Sequence, residues 1–143
     1  MADAVPRTDA GPVALTLTLS SEPAFLGTTE ALVIRLGEYA GCAPEASRRL
    51  GQAVRRLLAL LIDRARAATT SPQFEVAFAA NERVVRIDLR YARGTEPAEP
   101  SFEDVLGSEG ADPGLQKLVD RLEVAREDGR PCLRFTQQVR AGR

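Results

Sequence analysis

The sequence predicts a two-layer α+β sandwich in which helices pack on one face of a mixed, mostly antiparallel sheet. Three observations lead to this class. Residues 13–19 alternate strictly between larger apolar side chains and small or polar ones, which is typical of a half-buried strand. Residues 25–68 carry apolar side chains at helical spacing. Residues 74–91 return to alternation around a central turn, which indicates a pair of strands.

The first helix is expected to begin just after the opening strand. Ser20 or Ser21 can cap it with a hydroxyl, and Pro23 suits a first turn because no N–H is needed there. Apolar side chains then recur at helical spacing as far as Gly41. A glycine at that point can take the left-handed conformation that ends many helices.

The second helix is predicted to begin at Pro44 and to run to about Ala68. One side carries a wide apolar stripe that would face the core. The other side is basic, because six arginines against Glu45 and Asp63 leave a net charge of +4. These arginines are Arg48, Arg49, Arg55, Arg56, Arg64 and Arg66.

The strand pair over residues 74–91 is expected to turn at Asn81 and Glu82. Residues 92–111 are rich in Gly, Pro, Ser and Glu, which predicts a loop. Between Thr95 and Asp112 this loop holds six acidic residues and no Lys or Arg, so it carries a charge of −6.

A third helix is predicted to start at Asp112 and Pro113. Its inward side chains would be Leu115, Leu118, Val119 and Leu122. A last hairpin begins near Val124 and turns at Asp128 and Gly129, since Asp-Gly is a strong turn signal. The predicted order is therefore strand, two helices, two strands, loop, helix and two strands.

The length and composition of the chain limit the classes of function that it can have. The 143 residues, 44% of them hydrophobic, suit a single domain over residues 13–139 with a disordered tail at 1–12 and a short tail at 140–143. A net charge of −1 gives no general attraction to nucleic acid or to an anionic membrane. No apolar run reaches the ~20 residues that span a bilayer.

The chain contains no histidine, which removes imidazole bases and histidine-ligated metals from consideration. Its two cysteines, Cys42 and Cys132, do not make a disulfide framework, and both are expected to fill small apolar spaces. The opening residues lack the apolar core of a signal peptide. We therefore expect a cytoplasmic protein with reduced thiols and no metal site.

The order of elements, together with two stretches of sequence, resembles a known family. The run from Gly114 to Gly129 and the Pro131–Phe135 strand after it match a Gly-Leu helix, a short strand, an Asp-Gly turn and a last strand. The opening strand followed by Ser21-Glu-Pro23 matches as well. Over residues 13–139 the chain resembles the bacterial GHKL ATPase fold, also found in histidine kinases, and is most similar to the anti-sigma-factor serine kinases.

The resemblance also shows which functional residues of the family differ here. On the second helix, Arg56 stands at the family's glutamate base and Leu60 at the asparagine that helps to bind Mg²⁺. At the aspartate that reads adenine stands Tyr91, or Arg90 if the register shifts by one residue. Gly94 is what remains of the following glycines. In the phosphate lid, Gly110 and Gly114 remain, but Pro113 removes a backbone N–H and Asp112 adds a negative charge.

These replacements imply a pseudokinase without cofactor: a non-catalytic, protein-binding regulatory module. The resemblance implies a sigma factor or a STAS-type antagonist as partner, and a homodimer through the first strand, which would otherwise be an exposed edge. Two alternatives stay open. One is an ATP-binding serine kinase with an atypical site, and the other is a docking or scaffold protein in a biosynthetic complex.

A candidate interaction face follows from the charges. Arg55, Arg56 and Arg64 on the second helix are complementary to the acidic loop. The loop also carries three apolar residues, Phe102, Val105 and Leu106, which are expected to dock beside Leu60 in the nucleotide position. The competing interpretation is a solvated basic face beside a flexible acidic loop.

Overall fold

A computed structural model of the chain describes residues 13–68, 71–95, 102–106, 113–127 and 129–139. The tails predicted at 1–12 and 140–143 lie outside these ranges, as does most of the acidic loop. The elements in chain order are β1 (Val13–Leu19), α1 (Phe25–Ala40), α2 (Pro44–Ala67), β2 (Phe74–Ala80), β3 (Val84–Tyr91), α3 (Phe102–Val105), α4 (Pro113–Gln116), β4 (Arg121–Glu127) and β5 (Arg130–Gln138).

The five strands form one sheet in the order β1-β2-β3-β5-β4. All four neighbouring pairs are antiparallel, so the expectation of a mixed sheet was wrong. The reason lies in the last hairpin. Its second strand, β5, lies beside β3, and its first strand, β4, takes the outer edge, so that no two neighbours run in the same direction.

The alternation of each strand divides the sheet into an apolar face and an open face. Phe74, Val76 and Phe78 of β2 are buried, as are Ile87 and Leu89 of β3. α2 lies against this apolar face with its predicted stripe, and α1 packs against α2. The α+β class and the two-layer arrangement of two long helices against the sheet are therefore confirmed.

The two long helices cross at two buried glycines. A Cβ on Gly51 would lie 2.8 Å from Cγ1 of Ile34 and 3.1 Å from the Glu30 carbonyl oxygen. A Cβ on Gly37 would lie 2.8 Å from Oγ of Ser47. The absence of side chains at these two positions lets the helix backbones approach closely, so that α1 packs against α2.

The start of α1 differs from the prediction. The helix begins at Phe25, and its N-cap, Ala24, makes no side-chain capping bond. Ser21 instead donates its hydroxyl hydrogen bond to the carbonyl of Pro72, which ties the end of β1 to the start of β2. The predicted end is confirmed, because Gly41 is left-handed with a φ of 109°.

The third helix is much shorter than predicted. α4 ends at Gln116, and β4 already begins at Arg121, so Leu122 is a strand residue. The carboxylate of Asp120 accepts a bond from the backbone N–H of Gln138 at 2.8 Å, which aligns the chain with β5 immediately before β4 starts. Leu115 and Val119 are nevertheless buried, as expected.

The last hairpin turns at Gly129, whose φ is +74°, as the Asp-Gly signal predicted. No helix in the described ranges is both long enough and apolar enough to cross a bilayer.

Candidate functional site

Three aromatic rings meet at the end of β3. Tyr91 is directly opposite Phe74 on the neighbouring strand, and their ring centroids are 5.2 Å apart with 34° between the planes. The ring of Phe102 is also stacked on Tyr91 at 5.2 Å, with only 4° between the planes. Tyr91 therefore contacts both a core residue and a residue of the segment that follows β3.

That following segment is anchored through its apolar side chains. Phe102 is 3% exposed and Val105 is 1% exposed, and the spacing of three residues places both on one side of α3. Leu106 is half-buried against the same core. Burial of side chains of this size stabilises the attachment by roughly 1.5–3 kcal/mol each.

The C-terminal part of α2 contributes a positive charge to this region. Burial raises the pKa of Tyr91, and the positive charge of Arg64 acts in the opposite direction. Arg64 therefore lies close enough to the phenol to influence its ionisation. The tyrosine is neutral near neutral pH and presents an O–H rather than a carboxylate.

The chain leaves β3 through a tight turn. The hydroxyl of Thr95 donates to the carbonyl of Ala92 at 2.9 Å and accepts a bond from the N–H of Gln73 at 3.1 Å. Gly94 lies inside this turn with a φ of +81°, a conformation that side chains other than glycine seldom adopt.

The structure brings some of the sequence-predicted positions together and separates others. Tyr91, Phe102 and Arg64 share one region, and Leu60 is half-buried at the border of the same core. Arg55 is exposed and donates to Glu30 of α1 at 2.7 Å. The remaining exposed positions are Arg56, Gly94 and Gly114.

The outer side of α2 presents a group of exposed cations. Between Glu45 and Asp63 this helix carries no acidic residue. We call the exposed arginines of this stretch the basic ridge, which consists of Arg48, Arg49, Arg55 and Arg56. A surface with this charge favours an acidic partner.

The residues available near the rings do not form an evident metal site. Within the described ranges, no group of three His, Cys, Asp or Glu side chains comes together as metal ligands would. Leu60 offers no oxygen atom to a hard cation such as Mg²⁺, which requires oxygen ligands.

Sequence reasoning missed an ion-pair network on the open face of the sheet. Arg134 donates to both oxygens of Asp88, at 2.8 and 3.0 Å, and to Glu127 at 2.8 Å. Arg90 donates to Glu75 at 2.8 Å. The alternation of Arg86, Asp88 and Arg90 along β3 indicates which face of the strand is polar, but it does not identify the ion-pair partners. The strand order that brings β5 beside β3 cannot be obtained from it.

A search of protein-family models finds no match to this chain, and a search of curated proteins finds none either.

Proposed function

We propose that this chain is a non-catalytic regulatory module that binds a protein partner, built on a frame resembling the GHKL ATPase fold of anti-sigma-factor serine kinases. The observation that carries the proposal is the stacking of Phe102 on Tyr91. Tyr91 stands where the resemblance places the adenine-reading aspartate, so an apolar ring of the chain itself lies against that position.

The neighbouring positions support the same conclusion. An adenine amino group needs an acceptor, and a stacked pair of aromatic rings supplies none on its faces; the lost hydrogen bond costs roughly 1–3 kcal/mol. Leu60, which the resemblance assigns to the position of the Mg²⁺-binding asparagine, is half-buried against the core. Arg56 cannot act as a general base, because its guanidinium stays protonated. Under this proposal the chain neither binds nor hydrolyses Mg·ATP.

The basic ridge is the surface we assign to the partner. Its arginines are exposed on a long helix whose opposite side is fixed in the core, so they form a rigid cationic row. Such a row steers and orients an acidic surface. A sigma factor or a STAS-type protein is the partner that the resemblance implies. A biosynthetic enzyme in that role would identify the chain as a scaffold instead.

The second candidate is an ATP-binding serine kinase with an atypical site. One observation favours it: Gly94 keeps a left-handed φ of +81°, and among the described residues other than its chain neighbours no atom lies within 4 Å of where a Cβ would be. A glycine without such a side chain lets a backbone approach a phosphate closely.

Charge reversal on the basic ridge tests the partner assignment. The variant Arg48→Glu/Arg56→Glu is compared with Arg83→Glu/Arg121→Glu, which makes the same charge change at exposed positions elsewhere. Proteins captured from the native host by the wild-type chain are purified and titrated against both variants by calorimetry. We expect the ridge variant to weaken binding by about 10-fold or more and the control by less than about 3-fold.

Equal binding by the two variants would refute the ridge as the partner surface. Binding that is insensitive to salt would also contradict it, because interactions between exposed charges are screened at high ionic strength.

A further inference from the structure

A small cavity of about 170 Å³ opens on the face of the sheet opposite the helices. Its lining residues are Ala77, Arg86, Asp88, Arg90, Glu127 and Arg130. They come from four strands, which the register brings side by side: Ala77 is opposite Asp88, and Glu127 is opposite Arg130. The cavity is therefore framed by four neighbouring strands, on the face of the sheet opposite α2 and its basic ridge.

The carboxylates in the lining are already engaged. Asp88 is 3% exposed and accepts two hydrogen bonds from Arg134. Glu127 accepts a third bond from the same guanidinium. Arg134 therefore takes up part of the hydrogen-bonding capacity of both acids.

Arg86, Arg90 and Arg130 have more N–H donors than their contacts within the chain use. The nearest carboxylate oxygens to Arg86 are at 3.8 Å and 4.0 Å, which is beyond hydrogen-bond distance. Arg90 uses Nε for Glu75, and Arg130 uses Nη2 for the carbonyl of Tyr91, with Glu75 a further 3.6 Å from the same nitrogen. A guanidinium has five N–H donors, so most of their donors are not used in these contacts.

The small side chain of Ala77 leaves room for the cavity. The face of the sheet here is covered by long charged side chains, and a methyl group at position 77 leaves a depression between them. A volume of about 170 Å³ leaves room for a single tetrahedral oxyanion.

We propose that this cavity binds a phosphate group, either as the free ion or on the side chain of a phosphorylated protein. A tetrahedral dianion accepts hydrogen bonds from several directions, which suits a lining with three guanidinium groups from β3 and β5. A planar carboxylate would engage one or two of them. The inference does not depend on the proposed function, since it uses a different face of the molecule.

The test is a titration of the full-length chain with inorganic phosphate at constant ionic strength, followed through the side-chain Nε–H resonances of arginine. We expect saturable shifts at Arg86 and Arg90, and weaker or no shifts with chloride. The variant Ala77→Leu fills the cavity without removing a charge, and it should weaken phosphate binding by at least about tenfold. Arg121→Gln removes an exposed arginine outside the cavity lining and should leave binding unchanged.

A second variant, Arg86→Gln, keeps the test decisive if Ala77→Leu does not fold. Arg86 makes only long ion pairs, so its replacement should leave the fold intact. It should weaken phosphate binding by about 5- to 10-fold. Phosphoserine serves as a second probe, with serine as its control. Tighter binding of phosphoserine than of phosphate supports a phosphorylated partner, and weaker binding supports the free ion. Absence of a saturable phosphate response, or wild-type affinity in both cavity variants, would overturn the proposal.

Discussion

The ring of Phe102 lies parallel to the ring of Tyr91, with 5.2 Å between their centroids and 4° between their planes. Offset stacking of this kind contributes about 0.5–1.5 kcal/mol beyond the burial of area. It joins the segment after β3 to the end of the strand. Under the proposed function, the same contact places a ring of the chain against the position where the kinases that it resembles would bind a base.

Removal of the Phe102 ring should destabilise the fold and release the segment. We expect Phe102→Ala to lower the free energy of unfolding by about 3 kcal/mol, because it leaves a cavity and loses the stack. Tyr91→Phe keeps both rings and should cost less than about 1 kcal/mol. Urea denaturation measures both values.

Amide hydrogen exchange distinguishes a docked segment from a flexible one. Amides of residues 102–106 should be protected in the wild-type chain and should exchange faster in Phe102→Ala. Rapid exchange of these amides in the wild type would mean that the stack does not hold the segment.

Replacement by alanine is predicted to change stability in opposite directions at Gly27 and at Gly51. Replacing a helical glycine by alanine usually stabilises a helix by up to about 1 kcal/mol. Gly27 has no atom within 4 Å of the new methyl, so Gly27→Ala should follow this rule. Gly51→Ala instead meets Ile34 and the Glu30 backbone, and we expect a net loss of about 1–2 kcal/mol from overpacking. Thermal unfolding of the two variants gives the signs; a stabilising Gly51→Ala would show that the helices are not closely packed there.

The buried thiols predict a loss of stability at alkaline pH. Burial raises the pKa of Cys42, and the charge of Asp120 adds to the effect; burial likewise raises the pKa of Cys132, with a smaller contribution from Asp88. In the unfolded chain a thiol releases its proton near about pH 8.5, so above that pH the folded state holds more protons. The stabilisation is complete below the unfolded pKa and is lost as pH rises through the folded pKa.

Urea unfolding between about pH 7 and pH 10 measures this effect, a range that ends where Tyr91 begins to contribute. We expect stability to fall above about pH 8.5, by at most about 1.4 kcal/mol per pH unit for each thiol. The variant Cys42→Ala/Cys132→Ala should have a flatter profile. Identical slopes in the two proteins would assign the pH dependence to other groups.

Local patterns were sufficient for most of the fold. Alternation located β1, β2 and β3, and helical spacing located α2. β2, β3 and α2 each have one buried side, whereas β1 lies at the edge of the sheet and its Leu15 is 39% exposed. The apolar spacing from Leu115 to Leu122 was misassigned to one helix. The bond from Gln138 to Asp120 draws that segment into the sheet, and such a contact between distant residues leaves no local signal.

The candidate site was less accessible to sequence reasoning. The apolar residues Phe102 and Val105 within an acidic loop indicated docking, and the structure buries both. The stacking of Phe102 on Tyr91 could not be predicted, because it depends on the three-dimensional path of the chain between them. The open-face cavity depended on the strand order, which the alternation of charges along one strand does not determine.

Calorimetric titration of the wild-type chain with Mg·ATP tests the central claim most directly. We predict no binding heat up to about 1 mM nucleotide, because the positions that the resemblance assigns to the adenine acceptor, the Mg²⁺ ligand and the base hold other residues and Phe102 is stacked on Tyr91. A dissociation constant of about 1–100 μM would contradict it and would favour the atypical kinase.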